Sequence, residues 1–248
     1  MASNSPWIIH IPNALTASNL FCGCLAVSAS FGNQYRAALG WIIAAALLDF
    51  ADGFAARLLN IKSEYGKILD SLADVISFGI APAAIMHNLF RHIYITSPFL
   101  FGIPVSGFFS EIVIFSPFLI TVFSGLRLAK FHLDTRQTTS FIGLPTPANA
   151  LFFSSLAFFL FSSPSRLAQI LSSYTFLLPL IILSCYLMIS EIPMFALKFK
   201  TFRWAKNKIR YFFIIISALL IGFLNIPAIP LIILFYILLS IINYKKTA

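Results

Sequence analysis

Four of the chain's eight carboxylates, Asp49, Asp52, Asp70 and Asp74, fall inside apolar stretches. An aspartate at the centre of a bilayer costs about 2.5 to 3.5 kcal/mol on insertion scales, and four unpaired ones roughly 10 kcal/mol or more. Such a group needs a compensating partner. Carboxylates with neither histidine nor thiolate among them favour hard divalent ions, magnesium or manganese rather than zinc, and four acids can hold two ions by sharing ligands. A pair of such ions would neutralise a diphosphate and stabilise charge on the attacking and leaving oxygens of an in-line transfer. Arg57, farther along the same segment as Asp52, adds a phosphate-pairing cation. A single membrane aspartate is as readily the partner of a base or a step in a proton or ion path.

The elements that position these acids follow from composition. The chain has 248 residues, of which 59% are hydrophobic and 10% charged, with mean hydropathy +0.91. Ordinary soluble domains carry about 25% charged residues, so a water-soluble globule is excluded. At about 30 residues per span and connection, the length accommodates roughly eight transmembrane helices in one all-α bundle. Apolar windows predict them near residues 11–31, 37–60, 65–90, 110–133, 146–163, 171–196, 209–225 and 227–244. At 100° per residue, Asp49, Asp52, Gly53 and Ala56 share an arc of the second helix, and Gly66, Asp70, Ala73, Asp74 and Ser77 share a face of the third. The short turn from Leu58 to Tyr65 predicts antiparallel neighbours, with glycine and alanine permitting close backbone approach.

Orientation follows from the basic residues. With a cytoplasmic N-terminus, fourteen of the seventeen lysines and arginines lie on the cytoplasmic side, including Arg57, Lys62, Lys67, Arg127, Lys130, Arg136 and the run from Lys198 to Arg210. Only Arg36, Arg91 and Arg166 face outward, so both termini and the acidic cluster are expected in the cytoplasm of a cell (inner) membrane. The formal charge of +9 then points to anionic lipid headgroups rather than nucleic acid. Met1 to His10 holds no basic residue before the first apolar run and no cleavage site, so the first helix is expected to be retained. Cys22, Cys24 and Cys185 have no metal-like spacing and read as small packing residues. Most of His10, His87, His92 and His132 are expected to be surface or interface residues, and Arg91 to Glu111, rich in proline and glycine, reads as an external loop able to dip into the interface.

The string Asp49-x2-Asp52-Gly53-x2-Ala56-Arg57-x8-Gly66-x3-Asp70-x3-Asp74 resembles the complete motif of the CDP-alcohol phosphatidyltransferases. That resemblance implies a membrane enzyme in which Asp49, Asp52, Asp70 and Asp74 bind two metal ions, Mg2+ or Mn2+, with Asp74 also the general base. It further implies that Gly53 and Arg57 contact the nucleotide diphosphate and that Asp52, Ala56 and Gly66 shape that pocket. Beyond the motif, Pro12-Asn13, Asn19-Leu20-Phe21-Cys22-Gly23, Ser77 to Pro82, Arg127 to Phe131, Phe141 to Asn149 and Ile192 to Phe195 resemble the serine-using branch of the family. The branch more often has arginine and asparagine where this chain has Lys130 and His132. The implied reaction moves the phosphatidyl group of CDP-diacylglycerol to the hydroxyl of L-serine and releases CMP.

Residue chemistry fits that implication. Arg127 and Lys130, at the cytoplasmic end of the fourth helix, offer a cation for the serine carboxylate, or anchor the helix end among headgroups. Asn13 and Thr16, with Asn19, form a polar stripe on the first helix suited to cytosine or ribose, or to interhelical hydrogen bonds. The Gly143 to Pro147 segment either shapes the serine pocket or makes a turn before the fifth helix. Residues 1–200 form the expected transferase core, and 201–248 two additional helices in the same bundle, serving packing or contact with a second copy in a homodimer. Two rival readings are a transferase using glycerol 3-phosphate or an inositol phosphate, and an ion or proton transporter.

Overall fold

The computed structural model describes residues 10–61, 63–133, 141–195 and 204–247. Lys62, Arg136 and the first part of the basic run, Lys198, Lys200 and Arg203, lie outside the described residues. Helix α1, His10–Phe31, turns through Asn33, whose φ of 56° suits the short polar side chain, into α2, Tyr35–Leu58. The two pack along their length, with small residues such as Ala26, Ala38 and Ala45 buried on them. At the end of α2, Asn60 takes the left-handed conformation and the Ile61 N–H donates back to the Ala56 carbonyl at 2.9 Å, which stops the helix and reverses the chain. Ser63 then caps α3, Glu64–Asp74, by accepting from the Gly66 N–H at 3.1 Å.

Helix α3 does not stop at Asp74. It runs through a π-helical turn, Val75–Ile80, into α4, Ala81–Thr96. Pro82 has no N–H to give the Phe78 carbonyl, and side chains of a neighbouring helix serve the loosened turn instead. That helix is α6, Leu119–Leu133, which continues α5, Gly107–Phe115, through a short 3-10 turn. Ser124 Oγ donates to the Phe78 carbonyl at 3.5 Å and Thr121 Oγ1 to the Gly79 carbonyl at 3.1 Å. Gly79 makes the approach possible, because a Cβ there would stand 3.2 Å from Ser124 Cβ.

A two-residue hairpin, β1 Phe99–Leu100 and β2 Ile103–Pro104, links α4 to α5. Helix α7, Thr146–Ser162, is the central element, packed on α2, α4, the π-turn and the last helix. After the short α8, Arg166–Leu171, helix α9, Tyr174–Ile189, is tied to α4 by the Tyr174 hydroxyl donating to the Phe90 carbonyl at 2.7 Å. Strand β3, Phe141–Ile142, pairs antiparallel with β4, Pro193–Met194, across the entrance of α7. The last helices, α10, Trp204–Leu224, and α11, Ala228–Thr247, pair with each other, and α11 also packs on α7 and β4.

Among the described residues, five helical segments are long and apolar enough to cross a membrane: His10–Phe31, Tyr35–Leu58, Glu64–Thr96, Gly107–Leu133 and Asn207–Leu224. Three apolar helices are shorter, Thr146–Ser162, Tyr174–Ile189 and Ala228–Asn243. The expected loop from Arg91 to Glu111 is corrected to Ser97–Ser106, because charged side chains at a helix end can reach the interface without ending the helix. His87 is buried rather than superficial: its Nδ1 lies 2.8 Å from the Ile114 carbonyl, which can only accept, and its ring stacks on Phe115. Cys22 and Cys185 are buried and free as expected, whereas Cys24 faces outward.

A tight point of the bundle is Gly23, where an added Cβ would lie 2.8 Å from the Ser77 Cα on the π-turn. Gly23→Ala is therefore expected to destabilise the protein by roughly 1 to 3 kcal/mol. Gly40→Ala, with nothing within 4 Å of its Cβ, is expected to leave stability unchanged or slightly raised. Thermal midpoints of both variants in one detergent check this.

Candidate active site

Asp49 of α2 and Asp70 and Asp74 of α3 each place a carboxylate oxygen within 4.8 Å of the others. Asp70 and Asp74 share a face of α3 because four residues separate them. A pair of like charges at that spacing repels by on the order of 3 kcal/mol at an effective dielectric of about 20. Buried oxygens Oδ1 of Asp70 and Oδ1 of Asp74 have no hydrogen-bond partner. An all-oxygen donor set with unpaired buried atoms fits a hard dication and offers no soft ligand for zinc.

The fourth acid is held differently. Asp52 lies outside the tight trio and accepts from the Thr16 hydroxyl of α1 at 2.5 Å. It forms part of the wall of a cleft of about 200 Å³, together with Asn13, Thr16, Gly53, Ala56, Gly66, Lys67 and Asp70. Gly66 lets α1 close on the start of α3, since a Cβ there would lie 3.0 Å from Asn13 Oδ1. Asn13, Thr16, Asp52, Gly53, Ala56 and Gly66, all singled out in the sequence, thus line one cleft that shares Asp70 with the trio. Arg57 is exposed near the end of α2 and is not on the cleft wall.

The close approach expected between the second and third helices is not found. Helix α1 packs against both α2 and α3, while the backbones of α2 and α3 barely approach each other. The space between them is what the facing carboxylates, and any cation they hold, require. Glycine and alanine beside the acids serve the contact with α1 and the floor of the cleft instead.

The two cations of α6 are placed unequally. Arg127 is buried at 7% exposure, in coulombic range of Asp74, with its Cζ 5.9 Å from the Phe131 ring centroid and its Nε without a partner. Lys130 donates to the Ile189 carbonyl at 3.1 Å and pairs with Glu191 at 3.6 Å, which ties α6 to the end of α9. His132 Nε2 lies 3.2 Å from Ser71 Oγ. Sequence reasoning missed Ser63 and Lys67 on the cleft wall; it placed Thr146 only within the segment that either shapes the serine pocket or makes a turn, and it gave Asn149 no separate role. The available signal was a polar pair three residues apart opening an otherwise apolar helix.

A family model, CDP-alcohol phosphatidyltransferase, matches residues 9–189, most of the chain. The chain belongs to the CDP-alcohol phosphatidyltransferase family. Together with its long apolar helices, this makes it a multi-pass membrane protein with an all-helical fold. Curated relatives include three proteins named CDP-diacylglycerol--serine O-phosphatidyltransferase. The Helicobacter pylori protein is 36% identical over 143 residues, covering 56% of this chain and 54% of its own length. The Bacillus subtilis protein is 32% identical over 138 residues, covering 56% and 70% respectively. The Methanocaldococcus jannaschii protein is 29% identical over 240 residues, covering 96% of both. The match thus spans about half the length of the Helicobacter relative and nearly all of the archaeal one.

If the trio is a dication site, Mg2+ or Mn2+ raises the thermal midpoint of the purified protein with a concentration dependence set by binding. Asp49→Asn and Asp74→Asn are expected to remove that rise while relieving repulsion in the apo protein. The checking measurement is a thermal-shift titration of all three proteins, with calcium as a second hard ion.

Proposed function

We propose that this chain transfers the phosphatidyl group of CDP-diacylglycerol to the hydroxyl of L-serine and releases CMP. The observation that carries the reading is the junction of the carboxylate trio with the cleft between α1, α2 and α3 at Asp70. A diphosphate bridging that junction sets its nucleotide end in the cleft and its reacting phosphorus beside Asp74. The serine-transferase names of relatives from three distant organisms support the acceptor. So does a buried arginine beside Asp74, a cation for an amino-acid carboxylate.

Asp49, Asp52, Asp70 and Asp74 would hold two ions, Mg2+ or Mn2+, which when bound supply charge neutralisation at the diphosphate and at the departing oxygen. Asn13 and Thr16 orient the nucleotide from α1, and Gly53, Ala56 and Gly66 keep the cleft floor clear of side chains. Thr16 holds Asp52 in a fixed rotamer through its hydroxyl. Asp74 accepts the proton of the serine hydroxyl. The serine oxygen forms a bond to the lipid-side phosphorus as the bond from that phosphorus to the CMP oxygen breaks. The cleft lysine Lys67, and Arg57, exposed and next in sequence to the cleft residue Ala56, receive the leaving nucleotide's charge. Arg127 holds the acceptor carboxylate, while Lys130, through Glu191 and the Ile189 carbonyl, braces the end of α6.

The cleft is too small to enclose a lipid nucleotide, so the acyl chains remain in the bilayer. In this reading the enzyme sits in the cell (inner) membrane with both termini and the site facing the cytoplasm, where fourteen of seventeen basic side chains gather. Residues 1–200 form the catalytic core, and α10 and α11 complete the same bundle and offer the contact for a homodimer.

Purified protein given CDP-diacylglycerol and labelled serine is expected to yield phosphatidylserine and CMP in equal amounts, and none with a chelator present. Asp70→Asn and Asp74→Asn are expected to lose transfer by at least a hundredfold while still inserting in the membrane. CMP release driven by glycerol 3-phosphate or an inositol phosphate but not by serine would overturn the acceptor assignment. Normal turnover in either variant would overturn the assignment of the acids.

A further inference from the structure

Hydrogen bonds between helices fix a common depth for several buried polar groups that the chemistry above leaves unused. The Ser124 side chain bonds the Phe78 carbonyl and lies 3.8 Å from the Met188 sulfur, so α6, the π-turn and α9 share one layer there. Asp74 and Arg127 lie four and three residues from that layer, on α3 and α6 and on the side of the α2–α3 turn, in coulombic range of each other. The Leu144 N–H donates to the Leu187 carbonyl at 2.9 Å, which brings the start of α7 to the same depth. Gly143 makes this possible with a φ of +76°, its N–H donating to the Ile192 carbonyl, at a spot where a side chain would meet the Met188 and Ser190 carbonyls.

Thr146 and Asn149 follow on the first turn of α7, on one face. They are 1% and 0% exposed, and Thr146 Oγ1, Asn149 Oδ1 and Asn149 Nδ2 all lack a hydrogen-bond partner. A buried polar atom left unpaired carries its full desolvation cost, so three on one helical turn point to a missing polar partner. The Arg127 Nε, about one helical turn from the Ser124 layer on α6, is unpaired as well. Together the groups offer a guanidinium and an amide N–H to a carboxylate, and a hydroxyl and an amide oxygen to an ammonium. That is the complement of a small zwitterion whose hydroxyl points at Asp74.

We propose that Thr146 and Asn149, with Arg127, form the acceptor-binding chamber and select an amino-acid zwitterion over other alcohols. This rests on the reading of the chain as a transferase with an amino-acid acceptor. Arg127 takes the carboxylate, with Asn149 Nδ2 beside it. Thr146 Oγ1 and Asn149 Oδ1 accept from the ammonium. Both are binding and positioning residues, and neither moves the transferred proton.

The test is steady-state kinetics of the full-length enzyme and of the variants Thr146→Val, Thr146→Ser and Asn149→Leu, with serine and CDP-diacylglycerol varied separately. Thr146→Val and Asn149→Leu are expected to raise KM for serine roughly tenfold or more. The KM for CDP-diacylglycerol and the dication-induced thermal shift should stay at wild-type values, and Thr146→Ser should keep the wild-type serine KM. An unchanged serine KM in Thr146→Val overturns the proposal, as does an equal rise for both substrates, the mark of a packing role or of a site filled only by water. Should Asn149→Leu fail to insert, the Thr146→Val and Thr146→Ser pair decides. If the wild-type enzyme turns over another small alcohol but not serine, the acceptor reading fails, and with it the selection of a zwitterion. The same variants assayed with that alcohol then show whether the chamber holds the acceptor at all.

Discussion

The convergence of three aspartate carboxylates from two long apolar helical segments is the constraint on which the rest of the site depends. Asp49, Asp70 and Asp74 converge within 4.8 Å on two helices of a predominantly apolar bundle, and among the described residues no ion pair neutralises them. Arg127 reaches Asp74 alone and keeps an unpaired nitrogen of its own. A bundle optimised for stability would have placed leucine or alanine at these positions. The dications proposed for this site would relieve the repulsion among the carboxylates, which ties the stability of the bundle to the proposed chemistry.

The helices around the trio are arranged to tolerate that arrangement. Helix α1 packs on both α2 and α3, meeting the start of α3 at Gly66 and the π-turn at Gly23, and the backbones of α2 and α3 stay apart. Directly below Asp74 the chain switches to a π-turn, whose loosened carbonyls are bonded by Ser124 and Thr121 of α6. That turn links the acid bearing the proposed proton transfer to the helix bearing Arg127. The last helix joins the same wall, although it lies beyond the family match: Tyr236 donates to the Phe195 carbonyl at 3.1 Å and lies in coulombic range of Arg127.

Much of this was legible in the residues. Apolar windows located most helix ends within a few positions because burial in lipid imposes long runs, although the third expected helix runs on to Thr96 and the sixth stops at Ile189, and the spacing of Asp49, Asp52, Asp70 and Asp74 put them on facing arcs. Six residues read as a nucleotide pocket line one cleft. Three things were not legible. The π-turn arises from Pro82 together with a partner helix forty residues away. The separation of α2 and α3 was not legible, because the small residues beside the acids read as a close α2–α3 contact whereas Gly66 meets α1. The division of labour between Arg127 and Lys130 depends on Glu191 and the Ile189 carbonyl, which approach only when α9 ends where it does. Local pattern reports periodicity, and it cannot report which distant group will satisfy a freed carbonyl or an ammonium.

The most direct measurement is anomalous scattering from crystals of the protein grown with manganese. The account predicts manganese peaks between α2 and α3, within bonding distance of oxygens from Asp49, Asp70 and Asp74. A map in which these carboxylates are ordered, diverge from one another and border no manganese peak would contradict it.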